Sequence, residues 1–272
     1  MFCNNYKVIT DLSAINMKKP IKVGLIEIPI STFEEYAGID EDYFKLPIIS
    51  WPKTGELRLN LERRIKDRFR NQISLENEVL DGFNRGKLNN DDFQIIGSNF
   101  KKKAREYDFT MVFAEDHSAA YPLYFLPGKV LRMDCHGDAF VSENIKKFSV
   151  QLNYATYMYC VEKSRVKNTK HIDNIGIKYP PVIGRSINAN ELTKNYNILD
   201  LDLDAFEKKY HFQWIHDTSD VKLELLKSIL TENINQVGIF EYRKEGDPYN
   251  NVEKFAYKIA EIVISKKMDK KY

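Results

Sequence analysis

The sequence predicts an α/β fold with three layers, α/β/α, in which helices cover both faces of a mostly parallel sheet. Short apolar segments of strand length alternate along the chain with longer segments whose apolar residues follow a helical period. The 272 residues can bury a large core, and no repeat or linker divides them, so we expect one domain over residues 1–272. The apolar fraction of 43% and the charged fraction of 29% are ordinary for a globular protein.

Six apolar segments are predicted to be strands, because they are rich in β-branched, leucine and aromatic side chains. They are residues 21–29, 109–113, 129–133, 172–177, 196–203 and 236–240. Pro29 stops the first of them, and Pro127 and Gly128 precede the third. Several strands separated by helices are typical of a parallel sheet.

Helical periodicity is found between the predicted strands. Residues 57–83 carry Leu59, Leu61, Ile65 and Phe69 at roughly helical spacing, so we expect one or two surface helices there. The other predicted helices are residues 119–125, 148–162, 221–234 and 252–264, followed by a frayed charged tail over 266–272. Residues 31–48 are expected to be irregular.

Charge and cysteine content exclude several classes of protein. A net charge of +2 argues against a nucleic-acid binder, and no apolar run is long enough to span a membrane. The cysteines, Cys3, Cys135 and Cys160, are odd in number and lack C-x-x-C spacing, which argues against a disulfide framework or a zinc ribbon. Without a signal-peptide pattern, we expect a cytoplasmic protein. No glycine-rich phosphate loop follows a predicted strand.

The most informative stretch is the end of the third predicted strand, where Asp134, His136 and Asp138 follow an apolar run at alternate positions. Alternate residues of an extended strand point to the same side, so these three side chains are expected to converge. Two carboxylates and an imidazole are suitable ligands for a metal ion. The triplet alone is weakly specific, since such triplets occur on surface loops.

A second motif begins in the predicted strand 196–203 and ends directly after it, where Asp200, Asp202 and Asp204 alternate with leucines. A strand inside a parallel sheet is normally apolar on both faces. Carboxylates this close raise each other's pKa and destabilise the fold unless a cation lies among them. The alternative interpretation is an edge strand with one wet face.

Two further strand ends carry similar residues. Asp116 and His117 follow strand 109–113, and Glu241 follows strand 236–240. Taken singly, each is more typical of a solvated strand end. Parallel sheets place ligand sites at the carboxyl ends of their strands, however, so the four motifs together predict one site.

These motifs resemble those of the arginase–agmatinase (ureohydrolase) superfamily, in the same order along the chain. That family's pattern is Gly-Gly-Asp-His-Ser, then Asp-x-His-x-Asp, then Ser-x-Asp-x-Asp, then a strand-end Glu. This sequence has Glu115-Asp116-His117-Ser118, Asp134-x-His136-x-Asp138, Asp200-x-Asp202-x-Asp204 and Glu241. Without the glycine pair, it is similar to a divergent branch that includes the peptide arginases, which convert arginine residues in peptides to ornithine. The resemblance implies an arginase-like fold.

The resemblance also implies a metal centre with two Mn²⁺ ions. His117, Asp134, Asp138 and Asp202 would hold one ion, and Asp134, His136, Asp202 and Asp204 the other. A second register, with Asp200 and Asp202 as the ligands, stays open. We prefer Asp202 and Asp204, which leaves Asp200 in the place of the family's serine. Zn²⁺ or Ni²⁺ could bind the same ligands.

The implied chemistry is hydrolysis of a linear C–N bond, most naturally in a guanidino group. Two cations would acidify water near neutral pH. By resemblance, Asp138 would pass a proton to the leaving amine, Glu241 would pair with a guanidinium, and Asp116 would orient the His117 ring.

Departures from the family leave alternatives open. A histidine that follows the family's Asp-x-His-x-Asp motif has no counterpart here, where Asn153 is the candidate pocket residue. The residues that recognise a free α-amino acid are also not recognisable, which points away from free L-arginine and toward a larger or different guanidino or amide substrate. The alternatives are a deacetylase-like amidohydrolase of the same fold and a metal-binding protein without turnover. Relatives often form homo-oligomers, which is possible here too.

Overall fold

A computed structural model of the chain describes residues 19–31, 48–49, 54–80, 88, 90–139, 157–163, 169–179, 182–206, 221–242, 247 and 249–271. The strands are β1 (Ile21–Glu27), β2 (Ile30–Ser31), β3 (Ile48–Ile49), β4 (Ile73–Val79), β5 (Phe109–Phe113), β6 (Gly128–Met133), β7 (Thr169–Ile175), β8 (Arg185–Ser186), β9 (Ile198–Asp202) and β10 (Gln236–Phe240). The α-helices are α1 (Gly55–Phe69), α2 (Asn90–Ala104), α3 (Tyr157–Lys163), α4 (Leu223–Ile229) and α5 (Asn251–Lys271).

The central element is an eight-stranded sheet with the order β4-β1-β5-β10-β9-β6-β7-β8. All of its neighbouring strands pair in parallel. Strands β2 and β3 form a separate antiparallel pair. Strands β5, β10, β9 and β6 are consecutive in the sheet although they come from two separate parts of the chain, residues 109–133 and 198–240. Because they are parallel, their carboxyl ends lie side by side.

Helices cover both faces of the sheet. Helices α1, α4 and α5 pack on one face, where the core includes Leu61, Leu226 and Phe255. Helix α2, α3 and a 3₁₀-helix over His117–Phe125 pack on the other face, around Phe93 and Tyr124. The predicted three-layer α/β/α fold with a mostly parallel sheet is therefore confirmed. None of the described helices has both the length and the apolar character needed to cross a membrane.

Some element predictions were wrong. The second part of the predicted helical segment 57–83 is strand β4, whose side chains are mostly partly exposed because it is an edge strand with a single neighbour. Leu59 is 51% exposed and does not share the buried face of Leu57, Leu61, Ile65 and Phe69. The predicted helix at 119–125 is instead a 3₁₀-helix that starts at His117.

The C-terminal segment also differs from its prediction. Helix α5 continues to Lys271, where a frayed tail was predicted. Lys266 donates to the backbone oxygen of Leu230, and Lys267 donates to that of Glu232. These hydrogen bonds tie the last turns of the helix to the loop that precedes β10, and this explains why the helix continues through them.

Candidate metal centre

The four predicted motifs meet at the carboxyl edge of the sheet. His117 follows β5, and Asp134 follows β6 directly. Asp202 ends β9, while Glu241 follows β10 directly and has a left-handed backbone with φ 63°. Because the four strands are adjacent, the fold places these side chains within reach of one another.

The first group of possible ligands surrounds His117, which is 1% exposed. Its Nδ1 lies 2.8 Å from an oxygen of Asp202 and 3.2 Å from oxygens of both Asp134 and Asp138. One ligand atom of each of the four residues lies within 4.8 Å of the others. We name His117, Asp134, Asp138 and Asp202 the first subsite. The structure thus brings together the four residues predicted for one ion.

The second group contains Asp134, His136 and Asp204, which we name the second subsite. His136 Nδ1 lies 2.7 Å from Asp204 Oδ2. The His136 side chain is 42% exposed and its ring stacks on Tyr179, so the second subsite is nearer the surface than the first. Asp138 belongs to the first subsite and His136 to the second, so the alternating triplet converges on two points rather than the single point expected.

A third group joins Asp202, Asp204 and Glu241. The predicted ligand Asp202 is therefore grouped with Asp204 and Glu241 rather than directly with His136. The three aspartates were expected to share one strand face, but β9 ends at Asp202, so Asp204 lies beyond the strand. It lies in a 3₁₀-turn over Leu203–Ala205, which Asp202 caps by accepting a hydrogen bond of 3.1 Å from the Asp204 backbone N–H.

The donor atoms fit divalent cations. His117 Nδ1 and Asp204 Oδ2 are buried, and neither makes a hydrogen bond of acceptable geometry. Buried polar atoms are rarely left in this state, and one such atom belongs to each subsite. Carboxylate oxygens and imidazole nitrogens are ligands of Mn²⁺ and related metals. The structure therefore contains a cluster of His and Asp residues that could bind metal.

Asp200 lies outside both subsites and contacts the His117 ring at Nε2, the nitrogen that faces away from the first subsite. Its Oδ1 lies 3.0 Å from His117 Nε2, and its Oδ2 accepts hydrogen bonds from Tyr124 and Tyr157 at 2.6 and 3.0 Å. This arrangement favours the register in which Asp202 and Asp204 are ligands. The edge-strand alternative is wrong, because β9 lies between β10 and β6 and all three aspartates are buried.

Two other predicted residues have different outcomes. Asp116, expected to orient the His117 ring, caps the 3₁₀-helix by accepting a hydrogen bond of 2.7 Å from the Ser118 backbone N–H. The carboxylate that the structure places at the His117 Nε2 atom is Asp200. Asn153 lies outside the described residues, so its place in a pocket stays a prediction.

Burial and mutual repulsion perturb the acids. Burial, together with the charge of Asp204, raises the pKa of Asp202 well above its usual value. Burial and Asp202 do the same to the pKa of Glu241. Burial and the nearby Asp134 raise the pKa of Asp138 to about 6. Asp134 is the exception, since its pKa is lowered despite burial because Arg132 and His117 lie beside it.

Arg132 is the site residue that the motifs did not indicate. It lies in β6, is 0% exposed, and donates to Asp134, to Asp138 and to the Tyr157 hydroxyl. The signal in the sequence is a single basic residue inside the apolar run Val130 to Met133. Its partner in the parallel register with β9 is Asp200, another charge in an apolar strand.

The fold and the strand-end cluster together define the class of protein, an α/β/α protein with the arginase–agmatinase fold. The arginase of Bacillus subtilis superposes with a TM-score of 0.61 at 15% identity, over 90% of this chain and 99% of that one. The agmatine ureohydrolase of Thermoplasma volcanium gives 0.61 at 12% identity, over 95% and 93%. The proclavaminate amidino hydrolase of Streptomyces clavuligerus gives 0.60 at 12%, over 91% and 92%.

Sequence comparison adds nothing to this structural likeness. No protein-family model matches the chain, and no curated protein matches it. The resemblance in motifs is thus supported by the fold, while the identities of 12–15% leave the activity to be argued from the site.

Proposed function

We propose that this protein is a metal-dependent hydrolase of a linear C–N bond, and that its substrate carries a guanidino group, free or on an arginine residue of a peptide. One observation carries the proposal: two groups of carboxylates and imidazoles meet at four adjacent strand ends, and each contains a buried ligand atom without a hydrogen bond. The names of the compared structures, an arginase, an agmatine ureohydrolase and a proclavaminate amidino hydrolase, agree with this class of reaction.

We also propose that each chain binds two Mn²⁺ ions when manganese is present in excess. When bound, such ions lower the pKa of water and polarise the substrate, which is the chemistry that a poorly electrophilic guanidine carbon needs. His117, Asp134, Asp138 and Asp202 would hold one ion. Asp134, His136 and Asp204, with Asp202, would hold the other.

The chain's own residues supply positioning and proton transfer. Asp138 would accept a proton from the attacking water and deliver it to the leaving amine, a role open to a carboxylate that lies at the first subsite. Asp200 orients His117 from behind, with Nε2 at 3.0 Å, so that Nδ1 faces the carboxylates of the first subsite. The buried face around His117 and Phe240, whose rings stack at 5.3 Å, keeps water away from this side.

Glu241 would bind the substrate's guanidinium. It is partly buried, and its carboxylate lies beside those of Asp202 and Asp204. A carboxylate offers a guanidinium two parallel hydrogen bonds and an opposite charge. The more exposed pair of His136 and Tyr179 marks the side from which a substrate would enter.

The experiment is a urea-release assay with Mn²⁺-loaded protein against arginine, agmatine and peptides that contain an internal arginine. We expect urea from at least one guanidino compound and none from acetylated lysine peptides. Asp202→Asn should abolish release. Asp173→Asn is the matched control, because Asp173 of β7 is also a buried carboxylate but is paired with Lys129 of β6 and Arg185 of β8.

Two results would contradict the proposal. Release of acetate from the acetylated peptide would indicate a deacetylase-like amidohydrolase. Full Mn²⁺ occupancy with no urea from any guanidino compound would favour a metal-binding protein without this activity.

A further inference from the structure

Arg132 places a permanent positive charge inside the candidate metal centre. Its side chain is fully buried, and a guanidinium stays protonated under all ordinary conditions. Its Nη2 donates to Asp134 Oδ2 and, at 2.6 Å, to Asp138 Oδ2. Asp134 and Asp138 are therefore less available to a metal ion than the acids that Arg132 does not contact.

The oxygens that Arg132 contacts belong to the first subsite. Asp134 Oδ2 and Asp138 Oδ2 each lie 3.2 Å from His117 Nδ1, and both accept from Arg132 Nη2. A divalent ion held by His117 Nδ1 would lie beside these same two oxygens and Asp202 Oδ2. The guanidinium and that ion would compete for the oxygens of Asp134 and Asp138 and, in a buried site, would repel each other strongly.

The surrounding contacts hold the guanidinium in place. Arg132 Nε donates to the Tyr157 hydroxyl at 2.8 Å, and Nη1 donates to the Gly137 backbone oxygen at 3.4 Å. Asp200 does not take over as the counter-charge, since its nearest oxygen is 3.9 Å from Arg132 Nε and already accepts from two tyrosines. Moving Arg132 off Asp134 and Asp138 would leave a buried cation without direct pairing, which is costly.

At the second subsite, Arg132 competes less with a metal ion for the ligand atoms. Neither His136 nor Asp204 is among the groups to which Arg132 donates, and Arg132 contacts Asp134 through Oδ2, while Asp134 Oδ1 faces the His136 backbone N–H at 2.6 Å. His136 is also the most exposed of the histidine and aspartate ligands, so an entering ion reaches it first.

We infer that Arg132 is a resident cation of the first subsite, so that the chain binds one divalent ion tightly at the second subsite and another only weakly beside Arg132. The inference rests on the metal-binding part of the proposed function and is independent of its substrate. The two ions of the proposed function would then bind one after the other with unequal affinity, because Arg132 supplies a positive charge at the first subsite.

The test is a Mn²⁺ titration of metal-free protein, followed by calorimetry and by native mass spectrometry. For the wild type we expect one tight ion and a second that binds about tenfold more weakly or worse. Arg132→Met, which keeps an unbranched side-chain stem but removes the guanidinium and its charge, should strengthen binding of the second ion about tenfold or more and leave binding of the first nearly unchanged. Arg132→Lys, the control that keeps the positive charge, should keep the difference in affinity between the two ions.

Two equally tight ions in the wild type would overturn the inference, as would an unchanged difference in Arg132→Met. If Arg132→Met does not fold, His136→Asn and His117→Asn serve instead. His136→Asn should lose the tight ion and His117→Asn only the weak one; the reverse assignment would overturn the ordering. Normal stepwise binding without turnover would contradict only the proposed substrate, whereas no Mn²⁺ binding at all would overturn both.

Discussion

Two arginines are buried at the carboxyl edge of the sheet, and their surroundings differ. Arg58 of α1 donates to Glu27 at 2.9 Å, and Glu27 accepts a further hydrogen bond of 3.0 Å from the Thr54 backbone N–H. Arg58 also donates to the Thr54 hydroxyl and the Glu78 backbone oxygen. Its charge is matched by one buried carboxylate, and both groups are hydrogen-bonded.

The surroundings of Arg132 contain an excess of acid. The carboxyl groups that lie around it and the two histidines are those of Asp134, Asp138, Asp200, Asp202, Asp204 and Glu241. Even with both histidines counted as cations beside Arg132, since the pKa of each is raised, the positive charges are fewer than the carboxyl groups. Two ligand atoms also remain without a hydrogen bond of acceptable geometry. A buried charge that is paired and satisfied stabilises local structure, whereas a buried surplus of one sign needs a further cation. The contrast separates a structural ion pair from a functional site.

The largest effect is expected from Asp202→Asn, which removes one negative charge from the cluster. Loss of a ligand shared between groups should lower turnover by at least about a thousandfold, or about 4 kcal/mol. The metal-free variant should be as stable as the metal-free wild type or more so, because repulsion among the acids falls. Metal content and thermal melts check this, with Asp173→Asn as the control. An Asp202→Asn variant that retains full metal and activity would remove Asp202 from the centre.

The next effect is expected from Arg58→Met, which breaks the satisfied pair. The buried carboxylate of Glu27 would lose the positive charge of Arg58, at a cost of about 3–5 kcal/mol in the free energy of unfolding. Metal content per folded chain should not change. Urea denaturation checks the stability, and Arg64→Met on the same helix is the control, since its pair with Glu253 is partly exposed and worth about 1 kcal/mol or less. Equal losses of stability in Arg58→Met and Arg64→Met would show that the buried pair of Arg58 and Glu27 has no special structural role.

A smaller effect is expected from Glu241→Gln. The variant should keep its metal, yet lose the opposite charge for the guanidinium, so kcat/KM for a guanidino substrate should fall about 10- to 100-fold, roughly 1.4–2.7 kcal/mol. Steady-state kinetics and metal content check this. Glu224→Gln, on an exposed residue of α4, is the control. Unchanged kinetics would show that Glu241 does not anchor the substrate.

The smallest effect is expected in the pH dependence of the melting temperature after metal removal. Burial raises the folded-state pKa of Asp138 to about 6, above an unfolded value of about 4, so the metal-free fold prefers the protonated acid. This contribution to stability is present below about pH 4 and is lost as the pH rises through about 6.

Chelated protein should therefore melt a few degrees lower at pH 7.5 than at pH 5, while Mn²⁺-loaded protein should not. Melting curves of both forms at the two pH values check this. A chelated protein that is more stable at pH 7.5 would contradict the interpretation of the acid cluster.

Local sequence patterns determined the fold class and most of the site. Period-2 alternation and apolar runs predicted β5, β6, β9 and β10, because a strand buried in a parallel sheet must be apolar whatever its neighbours are. The acids and histidines at their ends were visible for the same reason, since charged side chains such as Asp134, Asp202 and Glu241 interrupt that pattern. Strand β4 was missed because an edge strand requires no such pattern.

The tertiary structure alone decided which groups meet. The sequence left open whether Asp200 or Asp204 is a ligand, and the end of β9 at Asp202 separates them, with Asp204 in the turn and Asp200 behind His117. It also gave no role to Arg132, whose hydrogen bond to Tyr157 joins β6 to α3 and whose other donors reach Asp134, Asp138 and the Gly137 backbone oxygen. Hydrogen bonds and charge repulsion act over a few ångströms in space. Residues far apart along the chain therefore acquire their roles only when the sheet order brings their strands together.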